Sequence, residues 1–376
     1  MPVPILFSVR ELGVGGCERD VTKLALAIDR VKFTPHVAYF HDGFRSPELR
    51  AAGVPLVHLP VKSFLDRSAW EGVRVFSEYV RAHEIQISHA YDVPLSIFTS
   101  VAGRRAGVPV VIASMLGYRD LFPAKERYLL PFSDRLAHRI VVNSEAVRRH
   151  LMADYRVPER KLFLSRNGYS PEVFFAPAPG GRPRPGALAG AGLVIGTISA
   201  LRKEKNPALL VEAFARIRRP GLRLLILGSG VLEAGLKEQA ARLGIADDCV
   251  FEPGRADVAP WYRSIDIFVH SSVSESFPNG VLEAMASGCA TVATRVGGVP
   301  ELVRHEETGL LFESGDVAGL TAYLERLTSD AALRERLGRS AAAAALREFT
   351  MAHYCERMER FYGVCLGLPA SAGVER

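Results

Sequence analysis

The sequence of 376 residues lacks several features by which whole classes of protein are recognised. No uninterrupted apolar run approaches the roughly 18 residues that a membrane-spanning helix needs. Only five cysteines occur and none forms a Cys-x-x-Cys pair, which argues against a zinc site or disulfide framework and favours a reducing compartment. The first residues lack a basic stretch followed by a long apolar core, so we expect no secretory signal. These absences predict a soluble, cytoplasmic protein.

The composition is that of an ordinary globular protein. Hydrophobic residues make up 48% and charged residues 23%, values that exclude wholesale disorder, collagen-like repeats and a coiled coil. At roughly 100–200 residues per domain, the length predicts two domains or three.

The excess positive charge lies in the first half of the chain. Residues 1–175 contain 24 Lys+Arg and 18 Asp+Glu, whereas the remainder contains 23 of each, so the first half carries the whole net charge of +6. This asymmetry is either a solvated surface or a sign of an anionic partner, such as a membrane surface or a phosphorylated substrate. Nucleic acid is not expected, because no dense basic run with interleaved aromatic residues occurs.

Short apolar runs alternate with helix-period segments along almost the whole chain. We predict strands at residues 5–9, 36–40, 56–59, 85–89, 108–113 and 140–142, and again at 193–198, 222–227, 267–270, 291–293 and 310–312. A Pro- and Gly-rich stretch at residues 176–186 separates the two series and is predicted to be the domain boundary. The alternation predicts an α/β protein of two Rossmann-like domains with parallel sheets, and the cleft between them is the default ligand site.

Lys205 is a candidate anion-binding residue. It follows the first strand of the second series and precedes Asn206 and Pro207, which are favoured at the N-cap and first position of a helix. Lys205 is therefore expected at a helix N-terminus, which attracts anions. The alternative is a capped helix with a solvent-facing lysine.

Two carboxylates flank a second predicted helix N-terminus. Pro278 precludes a continuous helix, Asn279 can cap a helix that begins at Gly280, and Glu275 and Glu283 then lie on either side of that terminus. Carboxylates accept hydrogen bonds from hydroxyl groups, whereas the helix N-terminus suits phosphate. The arrangement suits a diphosphate with a polyhydroxylated group at each end, as in a nucleotide sugar. The alternative is that Glu283 only complements the helix dipole and Glu275 is a surface residue.

Several motifs resemble those of the family-4 glycosyltransferases, the glycosyl transferases group 1. The segment from Glu275 to Glu283 resembles the E-x7-E signature of that family. Other motifs typical of the family are Gly15-Gly16-Cys17-Glu18-Arg19, Arg166-Asn167-Gly168, Ile226-Leu227-Gly228-Ser229-Gly230, Glu283-Ala284-Met285-Ala286-Ser287-Gly288, Val296-Gly297-Gly298-Val299-Pro300-Glu301-Leu302-Val303 and Glu307-Thr308-Gly309-Leu310-Leu311. The resemblance spans nearly the whole chain, in the family's order.

This resemblance implies a GT-B fold, in which two Rossmann-like domains face each other across a deep cleft. Residues 1–175 would form the acceptor-binding domain and residues 176–350 the nucleotide-sugar domain. The terminal helix, at about residues 351–368, would pack back on the first domain.

The resemblance also implies roles for individual residues in donor binding. Glu275 would contact hydroxyl groups of the donor sugar and Glu283 the ribose, while Lys205 would hold the diphosphate. The amides of Asn279, Gly280 and Val281 would assist Lys205. Gly15 and Gly16 would let the first loop approach the diphosphate. The segment Pro253-Gly254-Arg255 would lie near the base. The remaining residues implied in donor binding are Ser199, Arg202, Gly228, Phe277 and Pro278.

The implied reaction transfers a sugar from a nucleoside diphosphate, UDP or GDP, to an acceptor hydroxyl with retention at the anomeric carbon. Lys205 would stabilise the charge that develops on the departing diphosphate. No Asp-x-Asp occurs in the sequence, which fits the metal-independent chemistry of this fold, and no cofactor is expected. We assign no protein nucleophile, because the family's retaining chemistry is generally interpreted as same-face attack by the acceptor.

His89 is the third candidate catalytic residue, with Lys205 and Glu275. It lies at the end of a predicted strand, where the family often has a histidine near the donor–acceptor junction. The alternative is a histidine that is hydrogen-bonded at a strand end. Many members have a second histidine after the next strand, but here that strand leads into Ser114-Met115-Leu116-Gly117-Tyr118.

The phosphate site also departs from the family pattern. An arginine is usual five residues before the phosphate lysine, but Ser199 and Ala200 occupy the corresponding Gly-Arg positions. Arg202 lies in the same loop, and its guanidinium group can bind phosphate oxygens through a planar fork. We therefore predict that Arg202 replaces the missing arginine; the alternative is that it points into solvent.

Two other functions and one partner remain open. A nucleotide-sugar epimerase on the same fold, or a non-catalytic nucleotide-sugar-binding module, would use the same donor site. The leading hypothesis is a transferase of glycan, polysaccharide or glycolipid biosynthesis. Because residues 121–132 mix basic and large apolar side chains, we also weigh reversible contact with the anionic inner face of a membrane against an ordinary core face.

Overall fold

The computed structural model describes residues 1–13, 15–178 and 181–368, and it forms two compact units. Unit 1 comprises Met1–Gly168 and Met351–Arg376, and unit 2 comprises Tyr169–Thr350. The division therefore falls between Gly168 and Tyr169 rather than between residues 175 and 176.

The predicted linker, residues 176–186, belongs to unit 2, although its residues 179 and 180 lie outside the described part. Two of its arginines attach it to the unit. Arg184 donates to Asp266 Oδ2 at 2.6 Å and to the carbonyl of Ala191 at 3.2 Å, while Arg182 Nη1 donates to the carbonyl of Ser287 at 3.2 Å. The described part of this stretch is therefore held to unit 2 by side-chain hydrogen bonds.

Unit 1 is built on a seven-stranded parallel sheet in the order β3-β2-β1-β4-β5-β6-β7. The strands are β1 (Val3–Glu11), β2 (Phe33–His41), β3 (Leu56–His58), β4 (Ile87–Ala90), β5 (Val110–Met115), β6 (Arg139–Val142) and β7 (Leu162–Leu164). Helices connect them: α1 (Gly16–Ala27), α2 (Ser46–Ala51), α3 (Arg67–Ala82), α4 (Val93–Ala106), α5 (Ala124–Leu136) and α6 (Glu145–Tyr155).

Unit 2 is built on a six-stranded parallel sheet in the order β10-β9-β8-β11-β12-β13. The strands are β8 (Leu193–Ile198), β9 (Leu222–Leu227), β10 (Cys249–Glu252), β11 (Ile267–His270), β12 (Ala290–Thr294) and β13 (Leu310–Phe312). The helices are α7 (Pro207–Ile217), α8 (Glu233–Arg242), α9 (Ala259–Ser264), α10 (Asn279–Ala286), α11 (Val299–Leu302), α12 (Val317–Ser329) and α13 (Ala331–Glu348).

The central strands are largely buried because both faces of each sheet are covered. In unit 2, Ile195, Phe268 and Val292 are fully buried on three neighbouring strands. The strand order reverses between β1 and β4 in unit 1 and between β8 and β11 in unit 2. Ligands bind beyond the carboxyl ends of strands at such reversals, so the loops after β8 and β11 are the first place to look in unit 2.

The last helix of the described residues is α14 (Met351–Cys365), which packs in unit 1. Phe361 stacks on Phe163 of β7 with ring centroids 3.9 Å apart, and Tyr362 is fully buried. In the described part of the chain, none of the helices is long and apolar enough to cross a membrane.

Candidate active site

The loops after β8 and β11 are joined by hydrogen bonds. Ser271 Oγ lies 3.0 Å from the carbonyl oxygen of Lys205 and 2.9 Å from that of Asn206. The amide of Val273 donates to the carbonyl of Glu204 at 2.8 Å. These bonds fix the backbone of Lys205 against the loop that contains Glu275, although the two residues are 70 positions apart in sequence.

One oxygen of Glu275 is surrounded by protein groups. Its Oε1 atom lies 2.5 Å from Lys205 Nζ, 2.8 Å from Ser272 Oγ and 3.1 Å from His270 Nε2. Its Oε2 atom has no partner among the described residues. Because a carboxylate has acceptor sites on both oxygens, Oε2 is the atom of Glu275 that can accept a hydrogen bond from a ligand hydroxyl.

Glu275 is ionised at neutral pH. Burial raises the pKa of this carboxyl group, but the effects of His270 and Lys205 outweigh burial and lower its pKa to about 2. The group can therefore only accept hydrogen bonds above pH 4. Sequence reasoning missed His270 and Ser272, although the polar run that directly follows the buried strand β11 was a usable signal.

The second anion-binding element, helix α10, differs in detail from the prediction. The helix begins at Asn279 with Pro278 at the N-cap, rather than at Gly280 with Asn279 as cap. The amide of Val281 donates to the carbonyl of Pro278 at 3.0 Å, so it is engaged within the protein and the role implied for it is not supported. The amide of Gly280 has no partner in the described part of the chain.

The side chains around the start of α10 face inwards. Phe277 is 4% exposed and its ring centroid lies 5.9 Å from that of Phe349, and Val281 is fully buried. Pro278 is buried as well, and Glu283 is 3% exposed within the helix. The side chains of Phe277 and Val281 thus stabilise the helix position, and only backbone atoms of this pair could reach a donor.

The loop that contains Lys205 has the predicted N-cap residue and helix start but no side-chain capping bond. Asn206 occupies the N-cap of α7 with φ of 46° and makes no side-chain capping bond, and Pro207 begins the helix. Arg202 lies at the start of the turn, is exposed, and makes no side-chain hydrogen bond or ion pair with described residues. Its guanidinium group is free to bind an anion.

Gly228 and Arg255 lie in the neighbouring loops of unit 2. A Cβ atom on Gly228 would lie 1.8 Å from the carbonyl oxygen of Ser199, so only glycine lets the loops after β8 and β9 approach this closely. Arg255 is exposed, forms an ion pair with Glu252, and lies over the ring of Trp261 at 4.9 Å.

In unit 1, Gly15 is the N-cap of α1 and Gly16 is its first residue; both are exposed. A Cβ atom on Gly15 would approach Glu18 Oε2 to 2.2 Å, whereas Gly16 has open space around it. Gly16 thus leaves room for a close approach of a ligand to the loop.

The structure favours a structural role for His89. The residue is fully buried in β4, its Nδ1 atom lies 2.7 Å from the hydroxyl of Tyr362, and its Nε2 atom lies 2.9 Å from that of Ser114. Burial lowers the pKa of His89 to about 3, so the ring is neutral at pH 7. With both ring nitrogens engaged and no exposure, His89 cannot contact a substrate in this structure, and its predicted catalytic role is not supported.

A cavity of about 480 Å³ lies at the carboxyl edge of the unit 1 sheet. Its charged or titratable lining residues are Arg10, Glu11, His41, Lys62, Lys125 and Glu126, and its apolar lining includes Phe40, Val61, Phe64, Leu65, Pro94 and Leu129. The segment at residues 121–132 supplies part of this wall. Two alternatives were predicted for it, a membrane-contacting surface and a core face, and its residues divide between exposed and buried positions. Leu130 is 1% exposed, whereas Tyr128 and Phe132 are 84% and 55% exposed.

Two family models match the chain, one on each side of the linker. The model for Glycosyltransferase Family 4 matches residues 14–173, and the model for Glycosyl transferases group 1 matches residues 184–344.

Curated relatives share part of their length with this chain. A D-inositol 3-phosphate glycosyltransferase of Arthrobacter sp. (strain FB24) is 36% identical over 55% of this chain and 51% of the relative. A protein of the same name from Segniliparus rotundus is 28% identical over 76% and 66%. An N-acetyl-alpha-D-glucosaminyl L-malate synthase of Bacillus anthracis is 32% identical over 44% of each chain. The matches thus span between 44% and 66% of the length of these relatives.

Solved structures show the same fold. The structure of Anabaena HepE in complex with UDP and glucose superimposes with a TM-score of 0.83 at 21% identity, over 96% of this chain and 99% of that one. A glycosyltransferase from Rickettsia africae has a TM-score of 0.84 at 18% identity, over 97% and 99%. With its two parallel-sheet units and both family models matched in order, the chain has the GT-B fold and belongs to the family-4 glycosyltransferases, within the glycosyl transferases group 1.

Proposed function

We propose that this glycosyltransferase moves a sugar from a nucleoside-diphosphate sugar to an acceptor hydroxyl, with retention at the anomeric carbon. The observation that carries this proposal is the contact between Lys205 and Glu275, which places a cation and an ionised carboxylate side by side near the N-terminus of α10. A nucleotide sugar needs both, because its diphosphate is anionic and its sugar presents hydroxyl groups.

In the mechanism that we propose, the ion pair rearranges when the donor binds. Lys205, with 26% of its side chain exposed, turns from Glu275 to the diphosphate and stabilises the charge of the leaving group. Glu275 Oε2 accepts a hydrogen bond from a hydroxyl group of the sugar, and the carboxylate of Glu283 accepts one from the ribose. Same-face attack by the acceptor needs no protein nucleophile, and the reaction needs no metal or other cofactor.

Donors that carry UDP are the first to test, and donors that carry GDP are the second. Anabaena HepE has been crystallised with UDP and with UDP-glucose, and its fold covers nearly the whole of this chain. Arg255, stacked over Trp261 beside the loop of Gly254, is the residue that we propose to lie near the base.

We propose that unit 1 binds the acceptor in the cavity at the carboxyl edge of its sheet. Arg10, His41, Lys62 and Lys125 line that cavity, and their side chains make no hydrogen bond or ion pair with described residues. These groups favour an acceptor with a negative charge. The names of the relatives point the same way, since inositol 3-phosphate and malate are both anionic. Glycan, polysaccharide and glycolipid acceptors with an acidic group remain within this proposal.

Peripheral contact with the inner face of a membrane is a separate proposal. Tyr128 and Phe132 are exposed one turn apart on α5, with Lys125 and Arg127 beside them, and unit 1 carries the excess positive charge. We expect co-sedimentation with anionic vesicles and little with neutral ones. Equal binding to both would contradict the electrostatic part of this proposal.

The transfer proposal is tested by incubating the protein with a panel of UDP- and GDP-sugars and candidate anionic acceptors. We expect acceptor-dependent release of the nucleoside diphosphate and a product whose anomeric configuration, read by NMR, is that of the donor. Inversion would contradict the retaining chemistry. Interconversion of the donor without acceptor would identify an epimerase, and donor binding by calorimetry without turnover would identify a binding module. Activity that EDTA abolishes would contradict metal independence.

A further inference from the structure

A second cavity in unit 1 lies at the opposite edge of the sheet from the proposed acceptor site. It has a volume of about 480 Å³ and is found where α5 and α6 end, before β6 and β7 begin. The residues that line it are Pro131, Asp134, Arg135, Tyr155, Arg156, Val157, Pro158, Arg160 and Lys161. Neither the family motifs nor the proposed transfer reaction accounts for this cavity.

Three arginines line this cavity without a hydrogen bond or ion pair to their side chains among the described residues. Arg135, Arg156 and Arg160 are exposed, and their guanidinium groups make no hydrogen bond or ion pair with described residues. Asp134 is the one carboxylate among the described lining residues, and it is neutralised by the buried side chain of Arg119, whose Nη2 atom lies 2.7 Å away. The cavity therefore has a strongly positive surface.

Lys161 does not balance these arginines but satisfies the end of α5. Its ammonium group donates to the carbonyls of Asp134, Arg135 and Ala137 at 2.5, 3.0 and 2.9 Å. Cations are favoured at helix C-termini, but Lys161 already fills that role for α5. The arginines are thus not needed to cap this helix.

The conformation of Arg156 supports the same conclusion. It ends α6 with φ of 52°, a left-handed conformation in which glycine or asparagine is the usual residue. An arginine there adds a third like charge to the cavity where a neutral residue would suit the backbone better. The turn itself does not favour an arginine at this position.

We propose that this arginine cavity binds a phosphate group. Guanidinium groups match phosphate oxygens through planar, bidentate hydrogen bonds, and three of them can surround a dianion. The phosphate is carried either by a soluble metabolite or by a lipid headgroup, since Pro131 of the cavity lies on the same helix as the exposed Tyr128 and Phe132. The inference does not rest on the proposed transfer reaction.

The test compares two double variants in an Arg202→Ala, Lys205→Ala background, which removes both side chains proposed to bind phosphate at the donor site. The cavity variant is Arg135→Gln with Arg156→Gln. The matched control is Arg81→Gln with Arg105→Gln, two exposed and unpaired arginines in the last turns of α3 and α4. Inorganic phosphate is titrated by calorimetry at constant ionic strength, and circular dichroism verifies that each variant is folded.

We expect affinity for phosphate to fall about tenfold or more in the cavity variant and to stay unchanged in the control. A parallel arm uses vesicles of phosphatidylcholine with and without phosphatidic acid. A loss of phosphatidic acid binding confined to the cavity variant identifies the lipid as the source, and phosphate binding without any vesicle difference identifies a soluble ligand. Equal affinity in both variants, whether retained or lost, would overturn the inference.

Discussion

A histidine lies at or near the end of the strand that follows the reversal in each sheet, and the two histidines have different surroundings. His89 in β4 contacts two neutral hydroxyl groups and is fully buried. His270, at the end of β11, lies 3.1 Å from the ionised carboxylate of Glu275, which Lys205 also contacts. The two histidines have similar positions in the fold but different contacts. His89 contacts hydroxyl groups and has a structural role, whereas His270 contacts the carboxylate to which we assign a function. The chemistry that we propose is therefore centred in unit 2.

The largest effect is expected at Lys205. Because Lys205→Ala removes the cation that we propose to stabilise the departing diphosphate, transfer should fall roughly 100- to 1000-fold. Lys203→Ala is the matched control, since Lys203 is exposed in the same turn and has no partner among described residues. Initial rates at saturating acceptor measure both. Similar rates in the two variants would remove the main support for a donor site in unit 2.

A smaller effect is expected at Arg202, the arginine that we predict to replace the missing family residue. Losing one charged hydrogen bond typically costs about 1–3 kcal/mol, so Arg202→Ala should lower kcat/KM by roughly 5- to 150-fold. Arg202→Lys should recover little, because lysine lacks the planar fork. Unchanged donor affinity and turnover in Arg202→Ala would show that the family arginine was lost without replacement.

His270 should act as a positioning residue. His270→Leu leaves Lys205 and Ser272 on Glu275 Oε1 but removes the third contact, so we expect kcat to fall about fivefold, near 1 kcal/mol, with little change in the KM for the acceptor. An effect on acceptor KM alone, or on thermal stability alone, would contradict a role exerted through Glu275.

His89 should affect stability and leave transfer almost unchanged. Burial holds the pKa of His89 near 3, whereas the unfolded value is 6.5, so the unfolded chain takes up the proton first as the pH falls. His89 therefore destabilises the folded protein between pH 6.5 and 3, by about 1.4 kcal/mol per pH unit. His89→Gln should lose about 1–3 kcal/mol at neutral pH and show a shallower acid slope in urea unfolding. An unchanged slope would contradict the neutral, buried state of His89.

The sequence predicts most strands of both sheets but misses one edge strand of each. The bounds predicted for β8, β9, β11 and β13 agree with the structure to the residue. Strands β7 and β10 were missed. Both lie at a sheet edge with all of their residues half-buried, although the run Leu162–Leu164 is as apolar as the predicted run Leu310–Phe312.

Within the site, the sequence predicts which residues suit which part of a ligand, namely a lysine for an anion and a carboxylate for hydroxyl groups. Lys205 and Glu275 are singled out because each lies near a predicted helix N-terminus, and the structure brings them into contact. The polar residues at and after the end of β11 mark candidates, but the contact of His270 with Glu275 depends on how the loop after β11 folds back. The internal bond of the Val281 amide likewise depends on the helix starting one residue earlier than its capping signal indicates.

The central claim is that the polar cluster around Glu275, and not the histidine of β4, performs the chemistry. The most direct measurement compares acceptor-dependent release of UDP by Glu275→Gln and His89→Gln, at a temperature where both variants are folded. The account predicts that Glu275→Gln loses roughly 100-fold or more, since the neutral amide cannot replace the ionised acceptor, while His89→Gln stays within about twofold of the original protein. Near-normal release by Glu275→Gln together with inactive His89→Gln would contradict it.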